Sequence, residues 1–263
     1  MMLRPPAVAG LFYPGQRKEL GVDVSTLIDE AYAECIIPKA LIVPHAGYIY
    51  SGPVAASAYA TLQPQHADIR RVVLLGPVHR VPVVGLAATS AAAFETPLGK
   101  VNVDRAAIEQ ALRLPQVTIN DQAHAQEHSL EVHLPFLQTV LDDFSIVPFA
   151  VGDATAKEVA EVLELLWGGD ETLILISSDL SHYHPYAAAR QLDQATADSI
   201  LRLDLLTSHE QACGATPING LLATAPRHRL KPQLLDLRNS GDTAGDKSRV
   251  VGYGSFAFSE DHG

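Results

Sequence analysis

The 263-residue sequence has little cysteine, one tryptophan and no long apolar run. Its two cysteines, Cys35 and Cys213, lie far apart, which excludes a disulfide framework and a CxxC metal or redox motif. The longest weakly polar stretch, residues 83–94, is too short to span a bilayer, and the first residues lack the apolar core of a signal peptide. We therefore expect a cytoplasmic protein without a membrane partner.

Positive charge is also scarce. There are 19 Lys and Arg against 30 Asp and Glu, a net charge of −11, so no basic surface for direct nucleic-acid binding is expected. Apolar residues make up 47% of the chain and charged residues 19%, the balance of a packed globular protein. Neither a repeat nor a Pro/Ser/Gly linker divides the chain, which favours one domain over residues 1–263.

Short β-branched runs alternate along the chain with segments of helical spacing. The predicted strands are 40–43, 72–75, 83–87, 145–150, 172–176, 233–237 and 250–258. The predicted helices are 51–62, 104–112, 130–141, 156–167 and 187–206. This alternation predicts an α/β fold, a single layered domain with a central mixed or largely parallel sheet flanked by helices.

Three predicted strands end abruptly at a histidine or aspartate in a turn of small residues. His45 follows LIVP, His79 follows LLGPV, and Asp179 and His182 follow LILISS. Ligands of open α/β sheets bind beyond the carboxyl ends of the strands, where such loops converge. We therefore predict one shared site, although an isolated histidine of this kind is more often half-buried and bonded to backbone.

A pair of neutral imidazoles, His45 and His79, suits a divalent metal, and a carboxylate would complete a face with open positions. The candidates for that carboxylate are Asp179, Asp242 and Glu127, and the pattern does not choose among them. A bound metal could serve an oxidoreductase, a non-catalytic binding module or a hydrolase, in falling order of preference.

The segment AHAQEHSLEVHLPFLQ holds the densest group of histidines and glutamates, but it is not an HExxH motif. Its leucine stripe must face the core, which leaves Glu127, His128 and His133 to line a cleft or to brace metal ligands. We expect bracing rather than direct ligation. The CGATPINGLLA stretch predicts a helix start whose turn packs Cys213 as a buried thiol.

Eight ordered motifs give the sequence a resemblance to the Memo family, also called the AmmeMemoRadiSam system protein B group. They are PPAVAGLFYPG, PHAGYIYSG, LLGPVHR, ETPLG, EHSLEVHLPFLQ, SSDLSHYHP, CGATPI and NSGDTAGDKSRVVGYGS. That family resembles the LigB-type class III extradiol dioxygenases, which implies a mixed α/β core with a metal site at one end of the sheet.

The resemblance implies metal ligation by His45 and His79, and it places Asp179 and His182 in the same pocket as a catalytic pair, in which His182, oriented by Asp179, would move a proton. It also implies a pocket wall that contains Phe12 and Tyr50.

One position departs from the pattern of the family. Animal members place a cysteine as third ligand in the C-terminal motif, where this sequence has Thr243 beside Asp242. Oxygen ligation by Asp242 would favour iron over copper.

The resemblance implies a divalent metal cofactor, with Fe(II) favoured over copper or zinc, and activity as a non-haem iron oxidoreductase on a small-molecule substrate. The alternative is a non-catalytic metal- or phosphopeptide-binding module that works with a protein partner in a radical SAM-associated system.

Overall fold

A computed structural model describes residues 2–32 and 36–260, so Cys35 lies outside the described residues. Within them the chain forms twelve strands and eight α-helices. The strands are β1 Leu3–Arg4, β2 Ala40–Val43, β3 Arg71–Pro77, β4 Leu86–Ala88, β5 Ala93–Thr96, β6 Gly99–Val103, β7 Val117–Ile119, β8 Ser145–Val151, β9 Thr172–Ser177, β10 His182–His184, β11 Leu230–Asn239 and β12 Val250–Glu260. The helices are α1 Arg17–Glu30, α2 Tyr48–Tyr59, α3 Arg105–Ala111, α4 Asp121–Ala125, α5 Leu134–Val140, α6 Ala156–Leu165, α7 Tyr186–Leu201 and α8 Ala215–His228.

All twelve strands join one sheet, in the order β1-β5-β6-β8-β3-β9-β2-β12-β10, with β11 paired to β12 and β4 to β7 and β8. The central neighbours β6-β8-β3-β9-β2 are parallel, and the antiparallel pairs lie toward the edges. The central strands β2 and β9 are buried along their whole length, as a sheet covered on both faces requires. The predicted α/β fold with a largely parallel central sheet is confirmed.

Local sequence explains where several helices begin. A capping box of Thr155 and Glu158 starts α6, whose Val159 and Val162 are buried on one side. The predicted helix over 130–141 is divided in the structure. A 3₁₀ turn over Glu131–His133 precedes α5, because Pro135 is accommodated only in the first turn of a helix.

The parallel register of β3, β9 and β2 places their carboxyl ends side by side. The loops that follow these strands carry His79, Asp179 and His45, so all three leave the sheet at the same edge. No helix in the described ranges combines the length and apolarity needed to cross a membrane.

Candidate metal centre

Three imidazoles meet at the carboxyl ends of the central strands. The ring centroid of His45 lies 5.2 Å from that of His79 and 5.4 Å from that of His128, and the His79 and His128 rings stack at 4.6 Å. Each ring offers one nitrogen, and the three nitrogens all lie within 4.8 Å of one another. Among the described residues this is the one group of three or more such side chains close enough to hold a metal ion. We call His45, His79 and His128 the histidine centre.

A serine at the end of β9 orients His45. The Nδ1 atom of His45 lies 2.7 Å from Ser177 Oγ, and that hydroxyl donates its own hydrogen to the Ser129 carbonyl. The hydroxyl must therefore accept the Nδ1 hydrogen of His45, which fixes the tautomer and leaves the Nε2 lone pair free.

Glu127 braces the other two imidazoles. Its carboxylate accepts hydrogen bonds from the backbone N–H and Nδ1 of His79, at 2.7 and 2.8 Å, and from the backbone N–H groups of His128 and Ser129. His128 Nδ1 lies 3.3 Å from the same carboxylate. With Nδ1 engaged in both rings, Nε2 is the nitrogen available to a metal, the arrangement that second-shell carboxylates give to metal-binding histidines.

Burial and hydrogen bonding set the charges of this group. Burial alone would raise the pKa of Glu127, but the hydrogen bond and charge of His79 bring it to about 2, so the carboxylate is ionised. Burial lowers the pKa of His45 well below its usual value and that of His128 to about 4. These two imidazoles are therefore neutral near pH 7, the form that binds metals.

Asp179 lies directly beside His45. Its Oδ1 accepts the backbone N–H of His45 at 2.7 Å, and its Oδ2 lies 4.0 Å from His45 Nε2. Burial raises the pKa of this carboxyl to about 7, although the backbone hydrogen bonds oppose the shift. Asp179 can thus exchange a proton near neutral pH.

His182 stands on the next segment, at the start of β10. Burial lowers its pKa, and the charge of His79 is near enough to lower it further. The hydrogen bonds of Asp179 run to the backbone of His45, whereas those of His182 involve the Leu180 backbone. Asp179 therefore contacts His45, and His182 lies within electrostatic range of His79, but among the hydrogen bonds of the described residues none joins Asp179 to His182.

Aromatic side chains form the rim of the centre. The Phe12 ring lies 4.7 Å from the His128 ring, and the Phe12 carbonyl accepts the backbone N–H of Tyr48. Because α2 begins at Tyr48, the helical period separates two tyrosines that an extended chain would place on one side. Tyr48 is buried and donates to the Val132 carbonyl, whereas Tyr50 is exposed.

A buried carboxylate holds the N-terminal segment that carries Phe12. Glu131 is fully buried, pairs with Arg4, and accepts the Tyr13 hydroxyl at 2.5 Å. It also accepts the backbone N–H groups of Ala7 and Val8. The segment that covers His128 is therefore held by one ion pair and three further hydrogen bonds.

Asp242 and Thr243 lie elsewhere. Asp242 ends a 3₁₀ turn in which its carboxylate accepts the backbone N–H of Asn239 at 3.0 Å and the Tyr186 hydroxyl at 2.5 Å. The Thr243 hydroxyl donates to the Ser240 carbonyl. Neither residue belongs to the group of metal-capable side chains, and the structure offers His128 in the place of a third ligand.

The sequence did not predict the positions of two residues, His128 and Cys213, at the histidine centre. His128 was expected to line a cleft or to brace metal ligands rather than to bind a metal itself, and Cys213 was expected to be a packed thiol. The structure places Cys213 Sγ 3.4 Å from His45 Nε2, and burial, with the negative charge of Asp179, raises the pKa of the thiol to about 12. The sequence did contain a signal for His128, because Glu127 directly precedes it and an acidic side chain in that position can brace the imidazole. No local signal connects Cys213 to His45.

Comparison with known proteins identifies the family. The model of the family described as "Memo-like protein" matches residues 4–257. A MEMO1 family protein of Aquifex aeolicus is 38% identical over 265 residues, covering 96% of this chain and 98% of the relative. One from Ignicoccus hospitalis is 37% identical, with 98% and 99% covered.

A solved structure shares the fold at much lower sequence identity. The uncharacterized protein JW3007 from Escherichia coli K12 superposes with a TM-score of 0.54 at 14% identity, over 84% of this chain and 99% of that one. This likeness concerns the fold alone. The match to the family model and the extended similarity to the two relatives are together decisive, and the chain belongs to the Memo family.

Proposed function

We propose that the protein binds one divalent transition metal at the histidine centre and acts as a non-haem oxidoreductase on a small-molecule substrate. The observation that carries the proposal is the set of three imidazole nitrogens within 4.8 Å of one another, in rings whose Nδ1 atoms face Ser177 or Glu127. Buried histidines that serve only packing have no need to direct free lone pairs at a common point.

The donor set fits a metal of intermediate softness. Imidazole nitrogen suits iron, copper, zinc and nickel, whereas magnesium and calcium require oxygen ligands. Three protein ligands leave open positions, which is the mark of a catalytic rather than a structural site. We propose Fe(II) as the metal to test first, with copper and zinc as the alternatives.

A metal bound here would act as a Lewis acid and offer open positions to substrate and dioxygen. The chain supplies the remaining functions. Glu127 and Ser177 hold the imidazoles in the binding tautomer, and Asp179 can hold or release a proton at Oδ2 near neutral pH. Phe12 and Tyr50 narrow the entrance and limit the access of water.

The first experiment measures bound metal. Protein prepared without an affinity tag is loaded with Fe(II) under anaerobic conditions and analysed for its elemental content, beside the His45→Ala, His79→Ala and His128→Ala variants. His66→Ala is the matched control, because His66 is an exposed histidine paired with Asp142. We expect about one metal per chain in the wild type and the control, and little in the three variants. Equal metal content in all five proteins would refute the proposal.

The second experiment tests the reaction class. Fe(II)-loaded protein with verified occupancy is offered a panel of catechols and other dihydroxy aromatics while dioxygen is monitored. We expect oxygen consumption that the His182→Ala and Asp179→Asn variants lose although they keep their metal. Absence of turnover across the panel would leave a metal-binding protein without this oxidoreductase activity.

Exposed apolar side chains near the entrance favour a second candidate, a non-catalytic module that binds a protein partner. Leu11 is 80% exposed and Ile49 is 69% exposed, next to Phe12 and Tyr50 respectively. The proposed partner is a protein of the radical SAM-associated system. Partner binding that survives His182→Ala but is lost in Leu11→Ser and His45→Ala proteins would support this candidate over the enzyme.

A further inference from the structure

Cys213 is the one cysteine among the described residues, and it lies just before the start of α8. It is partly exposed at the base of a groove of about 400 Å³. The groove is lined by Pro77, Val78, Asp153, His209 and Thr216, among others. Pro77 and Val78 directly precede His79 in the chain, so the groove lies against the loop that carries one of the three imidazoles.

The sulfur contacts the ligand nitrogen of His45. Sγ lies 3.4 Å from Nε2, the ring nitrogen that remains free once Nδ1 bonds to Ser177. Two donors on one metal, with typical metal–nitrogen and metal–sulfur bonds, stand about 3.1 Å apart at a right angle and about 3.6 Å apart at a tetrahedral angle. The observed contact therefore has the spacing of two ligands that share a metal.

From this contact we infer that Cys213 supplies a sulfur ligand to a metal bound at the histidine centre, giving a three-histidine, one-cysteine donor set that still leaves open positions on a five- or six-coordinate metal. The inference rests on the proposed metal site. Binding releases the thiol proton to the solvent as the metal–sulfur bond forms, so the thiolate brings one negative charge to a site with three neutral imidazoles.

The strand end that orients His45 also positions the sulfur. The Cys213 N–H donates to the Asp179 carbonyl at 3.2 Å, and the Gly214 N–H donates to Ser178 Oγ at 2.9 Å. A side chain at Gly214 would meet the Ser177 carbonyl at 2.6 Å, so the turn lies directly on the end of β9. The same strand end, β9, therefore fixes both the His45 ring, through Ser177, and the turn that carries Cys213 Sγ.

The sulfur has to move a short way to complete the set. It lies outside the group of atoms that are mutually within 4.8 Å, so ligation requires the Cys213 side chain to turn toward His79 and His128. The competing arrangement keeps Sγ in place, with the thiol donating its hydrogen to His45 Nε2 or to the Asp179 carbonyl, 3.7 Å away. Metal binding at Nε2 removes the first of these hydrogen bonds.

Cobalt(II) distinguishes the two arrangements, because a bound thiolate adds a sulfur-to-cobalt charge-transfer band in the near ultraviolet to the visible d–d bands. The full chain is titrated with Co(II) alone, as wild type and as the Cys213→Ser, Cys213→Ala and Cys35→Ser variants. We expect the near-ultraviolet band in the wild type and in Cys35→Ser, its loss in both Cys213 variants, and Co(II) affinity about tenfold lower in those variants.

Visible bands without the near-ultraviolet band in the wild type would overturn the sulfur ligand and leave the three-histidine site intact. Absence of any cobalt d–d absorption would overturn the metal site itself, and the sulfur ligand with it. A thiol-labelling measurement adds an independent readout. In the Cys35→Ser protein, Co(II) should slow the reaction of Cys213 with methyl methanethiosulfonate at least tenfold, and an unchanged rate would contradict the inference.

Discussion

Histidines stand beside carboxylates at both ends of the sheet, but among the described residues only one end has a group of side chains that could hold a metal. At the amino-terminal ends of β2 and β9, His228 stacks on Trp167 with ring centroids 3.6 Å apart. Its Nε2 lies 3.1 Å from Glu164 and its Nδ1 lies 3.5 Å from Glu260. We call these four residues the distal cluster.

The difference lies in the second ring nitrogen. In the distal cluster both nitrogens of His228 face carboxylates, and neither faces another histidine. At the histidine centre each Nδ1 faces Ser177 or Glu127, and the Nε2 atoms are left for a ligand, that of His45 beside Cys213 Sγ. A carboxylate next to a histidine therefore does not mark a metal site, whereas free nitrogens that converge do.

The largest expected effect is a difference in the loss of stability between two carboxylates, the fully buried Glu131 near the histidine centre and the partly exposed Glu260 of the distal cluster. Glu131→Ala leaves Arg4 as a buried unpaired charge and frees the segment over His128, and we expect a loss of about 3–5 kcal/mol in the free energy of unfolding. Glu260→Ala in the distal cluster should cost about 1 kcal/mol or less. Denaturant unfolding of metal-free protein measures both values. Equal losses would show that the difference in burial between the two carboxylates does not affect stability.

The second prediction compares the two ends by the metal affinity of the histidine centre. Glu127→Gln replaces the acceptor of His79 and His128 with an amide whose N–H₂ group faces other donors, so we expect metal affinity to fall about 10–100-fold. Glu164→Gln, the matched change in the distal cluster, should leave affinity unchanged. Competition titration with a chelator measures both, and a loss of affinity in Glu164→Gln alone would reverse the assignment of the two ends.

A third buried carboxylate, that of Asp193, lowers stability because it lacks a full set of hydrogen-bond partners. Asp193 is buried in α7, where Oδ1 accepts the Ser181 N–H and Oδ2 has no hydrogen-bond partner. Burial raises its pKa to about 6, so the native state binds a proton that the unfolded state has released between pH 4 and 6. Its contribution to stability is therefore full below pH 4 and lost as the pH rises through 6.

Asp193→Asn removes this ionisation. We expect the variant to be more stable than the wild type at pH 8 by about 1–2 kcal/mol, with the advantage shrinking toward pH 4. Urea unfolding at a series of pH values tests this, and an advantage independent of pH would show that packing rather than charge is responsible.

The smallest expected effect concerns the distal cluster itself. His228→Ala removes the stack on Trp167 and two ion pairs at a partly exposed site, and should cost about 1 kcal/mol without changing metal affinity. Trp167 is the one tryptophan in the chain, so its fluorescence reports on this cluster during unfolding. A drop in metal affinity would contradict a purely structural role.

Much of the fold was predictable from local patterns. Each of the seven predicted strands overlaps a strand of the sheet, and 40–43 matches β2 end to end. The strands that were not predicted are β1, β5, β6, β7 and β10, which have two to five residues each. Runs this short carry too little periodicity to distinguish them from loops.

The helices were predicted less completely, for a different reason. In α1, which was not predicted, Leu20, Val24 and Ile28 form a buried stripe at intervals of four residues, but polar neighbours reduce the contrast of the pattern. The start of α8 was predicted from CGATPINGLLA, but its length of 14 residues was not, because Pro217 and Pro226 argue against a helix in the local sequence. Packing against the sheet and other helices stabilises both elements more than propensity does.

The sequence by itself determined the α/β alternation and the meeting of His45, His79 and the Asp179 loop, because parallel strands end at a common edge. Tertiary structure decided which further side chains reach that edge. It brought His128 and Glu127 in on a loop, kept Asp242 in a turn of its own, and set Cys213 against His45 across 168 positions of sequence. Period and propensity act over a few residues, whereas these contacts arise from the packing of segments that are distant in the chain.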